Sequence, residues 1–286
     1  MYTAKIQNAG GEVLTLTGAD SKWQLFNITG LDPPKAQINL TDLAGLDGAR
    51  LNSTKLETRN IVIYLKINGD AEANRLELYR FFRTKEECIF FFKNRRRDVQ
   101  IAGVVESVEC PQFTNSEIMQ VSIICPFPYF RSIAEVIADI SNEIAGFYFP
   151  FAINYNDPIP FSLYIDHREA IVVNDAEAET GAIIEIDVTD SIGKVVILDA
   201  TTGESFGIVN SFVANDRIYI DTNKGQKSVY LVRGGNATNL FSKVISGSTF
   251  FQLLPGDNRF SYSVDDGAND NKVFILFTFA NLYRGV

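Results

Sequence analysis

One histidine, His167, sets a low ceiling on the chemistry open to this chain. It sits in Tyr164-Ile-Asp-His-Arg-Glu169, and any Ser-His-Asp triad would have to use it. Gly203-Glu-Ser-Phe-Gly207 has the Gly-x-Ser-x-Gly spacing, but Ser205–Val209 reads as a strand and not as the sharp strand-to-helix elbow that holds up a nucleophilic serine. Imidazole-based metal sites draw on several histidines, so they are excluded. Asp265-Asp-Gly-Ala-Asn-Asp270 loosely resembles a calcium loop but lacks its ligand order and closing glutamate. Asp, Asn and Gly in such a run make a hairpin turn. Gly234-Gly235 lacks the Lys and Ser/Thr of a phosphate loop. Cys88, Cys110 and Cys125 are odd in number, far apart and set among apolar residues, without C-x-x-C spacing. They read as reduced, buried strand cysteines. The sequence therefore nominates no catalytic, cofactor-binding or metal-ligating residue, and predicts a protein that is not an enzyme. A glycosidase-type carboxylate pair stays open, because its separation is set in space.

Charge offers binding chemistry instead. Lys93-Asn-Arg-Arg-Arg97 is a dense cationic run between two apolar stretches. It reads either as a contact for DNA or an acidic partner, or as a solvated hairpin tip. Residues 1–131 hold 16 Lys+Arg against 15 Asp+Glu, whereas 132–286 hold 10 against 20. Nucleic-acid affinity rests on neutralising phosphate, so the acidic second half is a poor nucleic-acid surface.

Such groups need a scaffold, and 286 residues suffice for roughly two domains. Hydrophobic residues make up 46% of the chain, with 22 Phe against one Trp, which suits stiff β packing. No apolar run approaches the roughly 20 residues of a membrane span. The N-terminus lacks the basic-then-apolar form of a signal peptide, so the expected site of synthesis and residence is the cytosol.

The clearest strand is Arg59–Ile67, with Ile61, Ile63, Leu65 and Ile67 on one face. Before it, Asp32-Pro33-Pro34 forces a rigid turn, a polar alternating run reads as a strand, and Asp47-Gly48 makes a tight turn that leads into Arg59–Ile67. Val13–Thr17, Gln24–Thr29, Cys88–Lys93, Asp98–Glu109 and Ile118–Cys125 are further strands, and Trp23 is a core residue. Residues 71–84 are predicted as an amphipathic helix, capped by Asp70, with Leu76, Tyr79 and Phe82 as its apolar stripe. Residues 132–145 suit a helix by periodicity and strands by their β-branched content. Beyond Phe147, short strands separated by turn residues point to an antiparallel sandwich; Phe250–Leu254 is among them, with Pro255-Gly256 as a turn. The organisation predicted is a first domain over 1–131, a connector over 132–146 and a β-sandwich over 147–286.

Several of these stretches resemble, in order and spacing, the distal tail protein (Dit) family of long-tailed phages. They are Gly30-Leu-Asp-Pro-Pro34, Asp47-Gly48, Arg59-Asn-Ile-Val-Ile63, Pro126-Phe-Pro-Tyr-Phe-Arg131 and Leu254-Pro-Gly-Asp-Asn258. Val173–Ile186 and Asn215–Asp221 agree as well. Phe127-Pro-Tyr129 departs from the more usual Asp-Pro-Tyr. The resemblance implies a mainly β fold: an N-terminal β-roll carrying one amphipathic helix, then a galectin-like antiparallel β-sandwich. It implies a phage or prophage virion structural protein, a baseplate hub at the tail tip whose N-terminal domains form a homohexameric ring. The implied partners are the tail tube protein, tail-associated proteins and receptor-binding proteins, with no membrane and with DNA only passing through the ring lumen. Family members need no catalytic residue or cofactor. Assembly would occur in the bacterial host cytoplasm. The ring contact is expected from strand 59–67 and helix 71–84, in the half whose charge is near zero.

Two other classes compete. A carbohydrate-binding module recognising host glycans would use the same sandwich, although the second half has no Trp for stacking. A glycoside hydrolase would use a carboxylate pair.

Overall fold

The computed structural model describes residues 2–18, 22–45, 47–112, 117–141, 143–145, 162–164, 170–265 and 272–286. It divides into two units. The first comprises Met1–Ala134 together with Leu282–Val286, and the second Glu135–Asn281. The chain thus returns to the first unit for its last five residues, a closure that the sequence-based boundaries at 131 and 147 did not include.

The first unit contains β1 (Thr3–Asn8), β2 (Val13–Thr15), β3 (Trp23–Thr29), β4 (Ala36–Asp42), β5 (Ala49–Leu56), β6 (Arg59–Ile67), α1 (Ala71–Phe81), β7 (Glu87–Lys93), β8 (Asp98–Glu109), β9 (Ile118–Cys125) and the start of β10 (Phe130–Asp139). Antiparallel pairing runs β3-β6-β9-β8-β7-β1-β2. β8 is long enough to serve three neighbours: Asp98–Val104 pair with β7, Val99 and Gln100 with β10, and Val104–Glu109 with β9 around a bulge. Bulges bend and twist a strand, which curls this sheet around its core. That core is built by strict alternation, as in Ile61, Ile63 and Leu65 of β6 against Met119, Val121 and Ile123 of β9. Trp23 opens β3 and is buried in it, as expected.

Helix α1 is shorter than predicted and its stripe is turned. Asp70 caps it by accepting from Ala73 N–H at 3.1 Å, and Phe82 ends it. The buried positions are Asn74, Leu78 and Phe82, whereas Leu76 is 47% exposed. Asn74 was unreadable as an inward residue because it is polar. Its amide donates to the Asn68 carbonyl at 2.7 Å, which ties the helix to the end of β6. Arg75 also faces inward, paired with Glu117 at 3.0 Å.

Residues 132–145 resolve to strand: β10 continues to Asp139, and β11 (Glu143–Ala145) pairs with β12 (Ser162–Tyr164). The rest of the second unit holds β13 (Ala170–Asn174), β14 (Ile183–Val188), β15 (Ile192–Asp199), β16 (Glu204–Phe212), β17 (Arg217–Asp221), β18 (Ser228–Arg233), β19 (Asn236–Asn239), β20 (Gly256–Val264) and β21 (Val273–Tyr283). β19-β18-β17-β14-β21 form one antiparallel sheet and β13-β20-β15-β16 another. Inward residues of both, among them Ile184, Ile186, Ile197, Phe206, Phe260 and Phe277, share one core. Phe250–Leu254 is not a strand. It contributes one bridge, Thr180 to Leu253, and inserts Phe251 and Leu253 into that core. Its alternation reads as a strand because an irregular segment lying across a core also buries every second residue.

Buried polar groups fix the turns. Asn258 is fully buried; its amide donates to the Leu254 and Gly256 carbonyls at 2.8 and 3.0 Å and accepts from Leu254 N–H at 2.8 Å. Asp216, with its side chain 1% exposed, is held by Arg233 at 2.5 Å and accepts from Val213 N–H at 2.9 Å. The hydrogen bond from Arg233 holds its carboxyl below the ordinary value of 3.8.

In the first unit the corresponding group is Arg59, 3% exposed at the head of β6. Its guanidinium donates to the carbonyls of Gly30 at 2.5 Å, Asp32 at 2.6 Å and Pro128 at 2.9 Å, and to that of Arg284. It lies 4.5 Å over the Phe130 ring. Burial pulls its pKa down from the ordinary arginine value, and the nearby Cys125 and Asp32 oppose that shift. Gly30 comes so close that a Cβ there would sit 2.0 Å from the Asn60 carbonyl oxygen, at a φ of +86°.

Two outcomes follow from these polar nodes. Each buried carbonyl left without a donor costs roughly 1–3 kcal/mol, so Arg59→Met is expected to destabilise the first unit by at least about 3 kcal/mol in denaturant titration. Arg59→Lys should recover only part of this, because an ammonium cannot reproduce the planar fork. Asp216 has a lower pKa folded than unfolded, so its pairing adds stability at neutral pH. That contribution declines below the ordinary carboxylate range and vanishes once pH falls through the depressed folded value. Asp216→Asn should therefore lower the melting temperature at pH 7, with the difference from the parent closing toward pH 2.

Candidate assembly site

His167 and residues 266–270 lie outside the described residues. Asp265 accepts from Gly193 and Lys194 N–H at 2.7 and 2.9 Å, so it staples the start of β15 to the end of β20. Gly234 and Gly235 take positive φ, +55° and +81°, in the turn between β18 and β19. Burial pushes the thiols of Cys88 and Cys125 up to about 12 and about 11, which leaves them as protonated core groups. Cys110 lies just past β8 and is only half-buried, unlike the expectation for a strand cysteine. Its thiol is also raised, by burial first and by Glu117 next. Among the described residues no His/Cys/Asp/Glu group could hold a metal ion. No helix there is long and apolar enough to cross a membrane.

What stands out is the pair β4–β5. It forms a separate two-stranded sheet, with Ala36 opposite Leu56 and Asp42 opposite Ala49. Nearly every residue of both strands is exposed. Ile38 and Leu40 alternate onto one face of β4, and Leu51 lies opposite Leu40; they are 57%, 57% and 58% exposed. Asn39 donates to Ser53 at 2.9 Å and Asn52 to Thr41 at 2.6 Å, linking the strands along their length. A lone two-stranded hairpin is marginal in water, and uncovered apolar side chains on one make it a candidate interaction surface.

The root of this arm is rigid. Asp32-Pro33-Pro34 leads into β4 and Arg59 follows β5, so the guanidinium that grips Gly30 and Asp32 closes the loop from which the arm leaves. Glu57 N–H donates to the Lys35 carbonyl at 2.9 Å one step further out. Val286 N–H donates to the Leu31 carbonyl at 3.2 Å, and Arg97 donates to the Gly285 carbonyl while lying 4.4 Å over the Tyr283 ring.

The sequence had placed the contact surface on strand 59–67 and the helix. β6 cannot offer an edge, because β3 and β9 occupy both of its sides. The sequence also treated the stretch after Asp47-Gly48 as leading directly into the long strand. In fact β5 intervenes and turns back on β4, and β6 pairs with β3. The signal that could have found the arm is Ala49–Leu56 itself, where Leu51 and Leu56 sit in a mostly polar run that one chain cannot bury. The cationic run behaves as the tip of the β7–β8 hairpin. Asn94 accepts from the N–H groups of Arg96 and Arg97, both at 2.8 Å, while the side chains of Arg95 and Arg96 are exposed. Lys93 is paired with Asp98 at 2.5 Å.

Residues 16–125 match a family described as a phage tail protein RIFT-related domain. Residues 175–279 match the C-terminal domain of the siphovirus-type tail component. No curated protein matches the chain by sequence. Among solved structures, the Dit protein of phage SPP1, described as a paradigm of the hub adsorption apparatus in phages infecting Gram-positive bacteria, is similar over 98% of each chain with a TM-score of 0.72 at 13% identity. A chain of the phage P2 baseplate in its activated conformation with Ca is similar over 98% of each, with a TM-score of 0.51 at 12% identity. Its counterpart with Sr gives 0.52 at 12% identity, over 97% of this chain and 98% of that one. The fold, mainly antiparallel β with one short helix, is that of these proteins, and with both halves matched by tail-protein families this chain belongs to the siphovirus distal tail protein (Dit) family, a non-enzymatic structural component of the phage tail.

Proposed function

We propose that this protein assembles as a homohexameric hub ring that joins the tail tube above to the tail-associated and receptor-binding proteins below. The observation that carries the reading is the β4–β5 arm, rigid at its root and uncovered along its apolar face. A closed ring needs a heterologous contact, one face of a subunit against a different face of the next. An arm reaching from the first unit onto the next copy is such a contact.

Charge supports the same division of labour. The first 131 residues are close to neutral, whereas 132–286 carry twice as many acids as bases. Six copies of the acidic part accumulate repulsion unless they stand apart. The ring-forming domain is therefore assigned to the first unit, including its last five residues, and the sandwich is assigned to the outside. DNA meets the ring only by passing through its lumen. Assembly takes place in the host cytoplasm, and the finished ring resides at the tail tip.

Burying a leucine is worth roughly 1.5–3 kcal/mol, and the contact recurs at every interface of a ring. Light scattering on the full chain is expected to give six times the 31.9 kDa monomer mass. Leu40→Asp combined with Leu51→Asp should reduce this to the monomer while leaving the circular dichroism spectrum unchanged, since both side chains are exposed; the melting temperature should fall only by what assembly contributes, to that of the diluted, dissociated parent. A monomeric parent, or a doubly substituted chain that still forms the hexamer, contradicts the proposal.

A further inference from the structure

The second unit carries a cleft of about 460 Å³ on the open side of its sandwich, between β16, which ends one sheet, and β19, which ends the other. That volume lies within the roughly 300–1,000 Å³ of small-molecule sites. Its floor is apolar, made by the buried side chains of Leu231 and Leu240. Asn210, Asn236, Thr238 and Ser242 stand around it. None of these four side chains is engaged by another described residue, in a protein whose other amides mostly serve turns and caps.

The charge of the cleft is the reverse of its surroundings. Two cations line it, Arg233 and Lys243, and no carboxylate does. Residues 132–286 as a whole hold 20 acids against 10 bases, these two included. The nearest acid partner, Asp216, is buried beneath Arg233 and neutralises it in part. Lys243 has no such partner among the described residues. A ligand suited to this set presents an apolar face to the floor, hydroxyls to the amides and hydroxyl side chains, and one negative charge to Lys243. Each amide can both donate and accept, which matches hydroxyl groups that do the same.

We propose that this cleft binds an anionic saccharide, a pyranose unit bearing a phosphate, carboxylate or sulfate group. The site gives the hub a sugar contact of its own, independent of ring formation by the first unit. One unit in so open a cleft binds at millimolar strength, and six copies in a ring raise the effective avidity without further contacts.

The test is ligand-observed saturation-transfer NMR on the full chain, with glucose 6-phosphate, glucose and inorganic phosphate as probes. Saturation should pass to the ring protons of glucose 6-phosphate and several-fold less to those of glucose. Lys243→Ala and Asn236→Ala should each weaken the glucose 6-phosphate signal roughly fivefold, as for one lost polar contact, whereas Lys194→Ala, on the exposed face of β15, should leave it unchanged. All three side chains are exposed, so folding is retained and is checked by melting temperature. Three results would each overturn the proposal: no transfer from glucose 6-phosphate, equal signals in the parent and both cleft variants, or complete displacement of the sugar by equimolar phosphate.

Discussion

The first unit depends on a guanidinium that has no carboxylate in its hydrogen-bonding shell. Arg59 spends its donors on the carbonyls of Gly30, Asp32, Pro128 and Arg284, four points far apart in sequence. A buried charge is costly unless every donor is used, and carbonyl dipoles can only do this if the segments that carry them are brought together. The cost therefore acts as a constraint on geometry. It fixes the proline turn before β4, the Pro126–Arg131 turn before β10 and the final residues of the chain in a single arrangement. The β4–β5 arm leaves from the middle of this node. An arm with a free root would lose much of any contact energy in ordering itself, whereas one rooted this way is already aimed.

The second unit solves the same problem with neutral groups. Asn258 and Asn174 are buried amides whose hydrogen bonds replace the ladder where the chain turns between sheets. Two acids are also buried there: Asp216, held by Arg233, and Asp199, which accepts from Thr201 N–H at 2.9 Å and from the Thr202 hydroxyl at 2.8 Å. The cleft of this unit differs, since four polar side chains around it have no partner among the described residues. The two units thus present different unmet needs: apolar surface on the arm of one, hydrogen-bonding groups in the cleft of the other.

Much of the fold was legible in the sequence because alternation reports burial directly. Arg59–Ile67, Asp98–Glu109, Ile118–Cys125 and Ile183–Val188 all occur as strands at those bounds. What escaped was set by partners in space. Asn74 and Arg75 point inward because Asn68 and Glu117 await them, and no periodicity rule places polar residues on an apolar stripe. Phe250–Leu254 alternates without pairing. Residues 132–139 had a helical spacing of isoleucines and valines, but their β-branched side chains suit the strand they form. The arm was missed for a related reason. The polar alternating run between the two turns reads as a strand and is β4, but β5 is not legible, because Leu51 and Leu56 answer to no core within the chain. The motif that suggested the family is intelligible in the same terms. Gly30, Asp32, Arg59 and Pro128 meet at one hydrogen-bonded node, and Asp47-Gly48 lies in the loop joining β4 to β5.

The central claim is that the β4–β5 arm is covered by a second copy of this chain. A photo-crosslinking amino acid placed at Ile38, on the uncovered face, reports the covering surface directly. Illumination of the full-length protein, followed by mass spectrometry of the linked peptides, is expected to give a ladder of covalent oligomers. In that ladder the Ile38 peptide should be joined to first-unit residues of another copy, as shown by mixing isotopically heavy and light chains. Crosslinks confined within a single chain, or none above the level seen for a probe at exposed Lys194, would contradict the account.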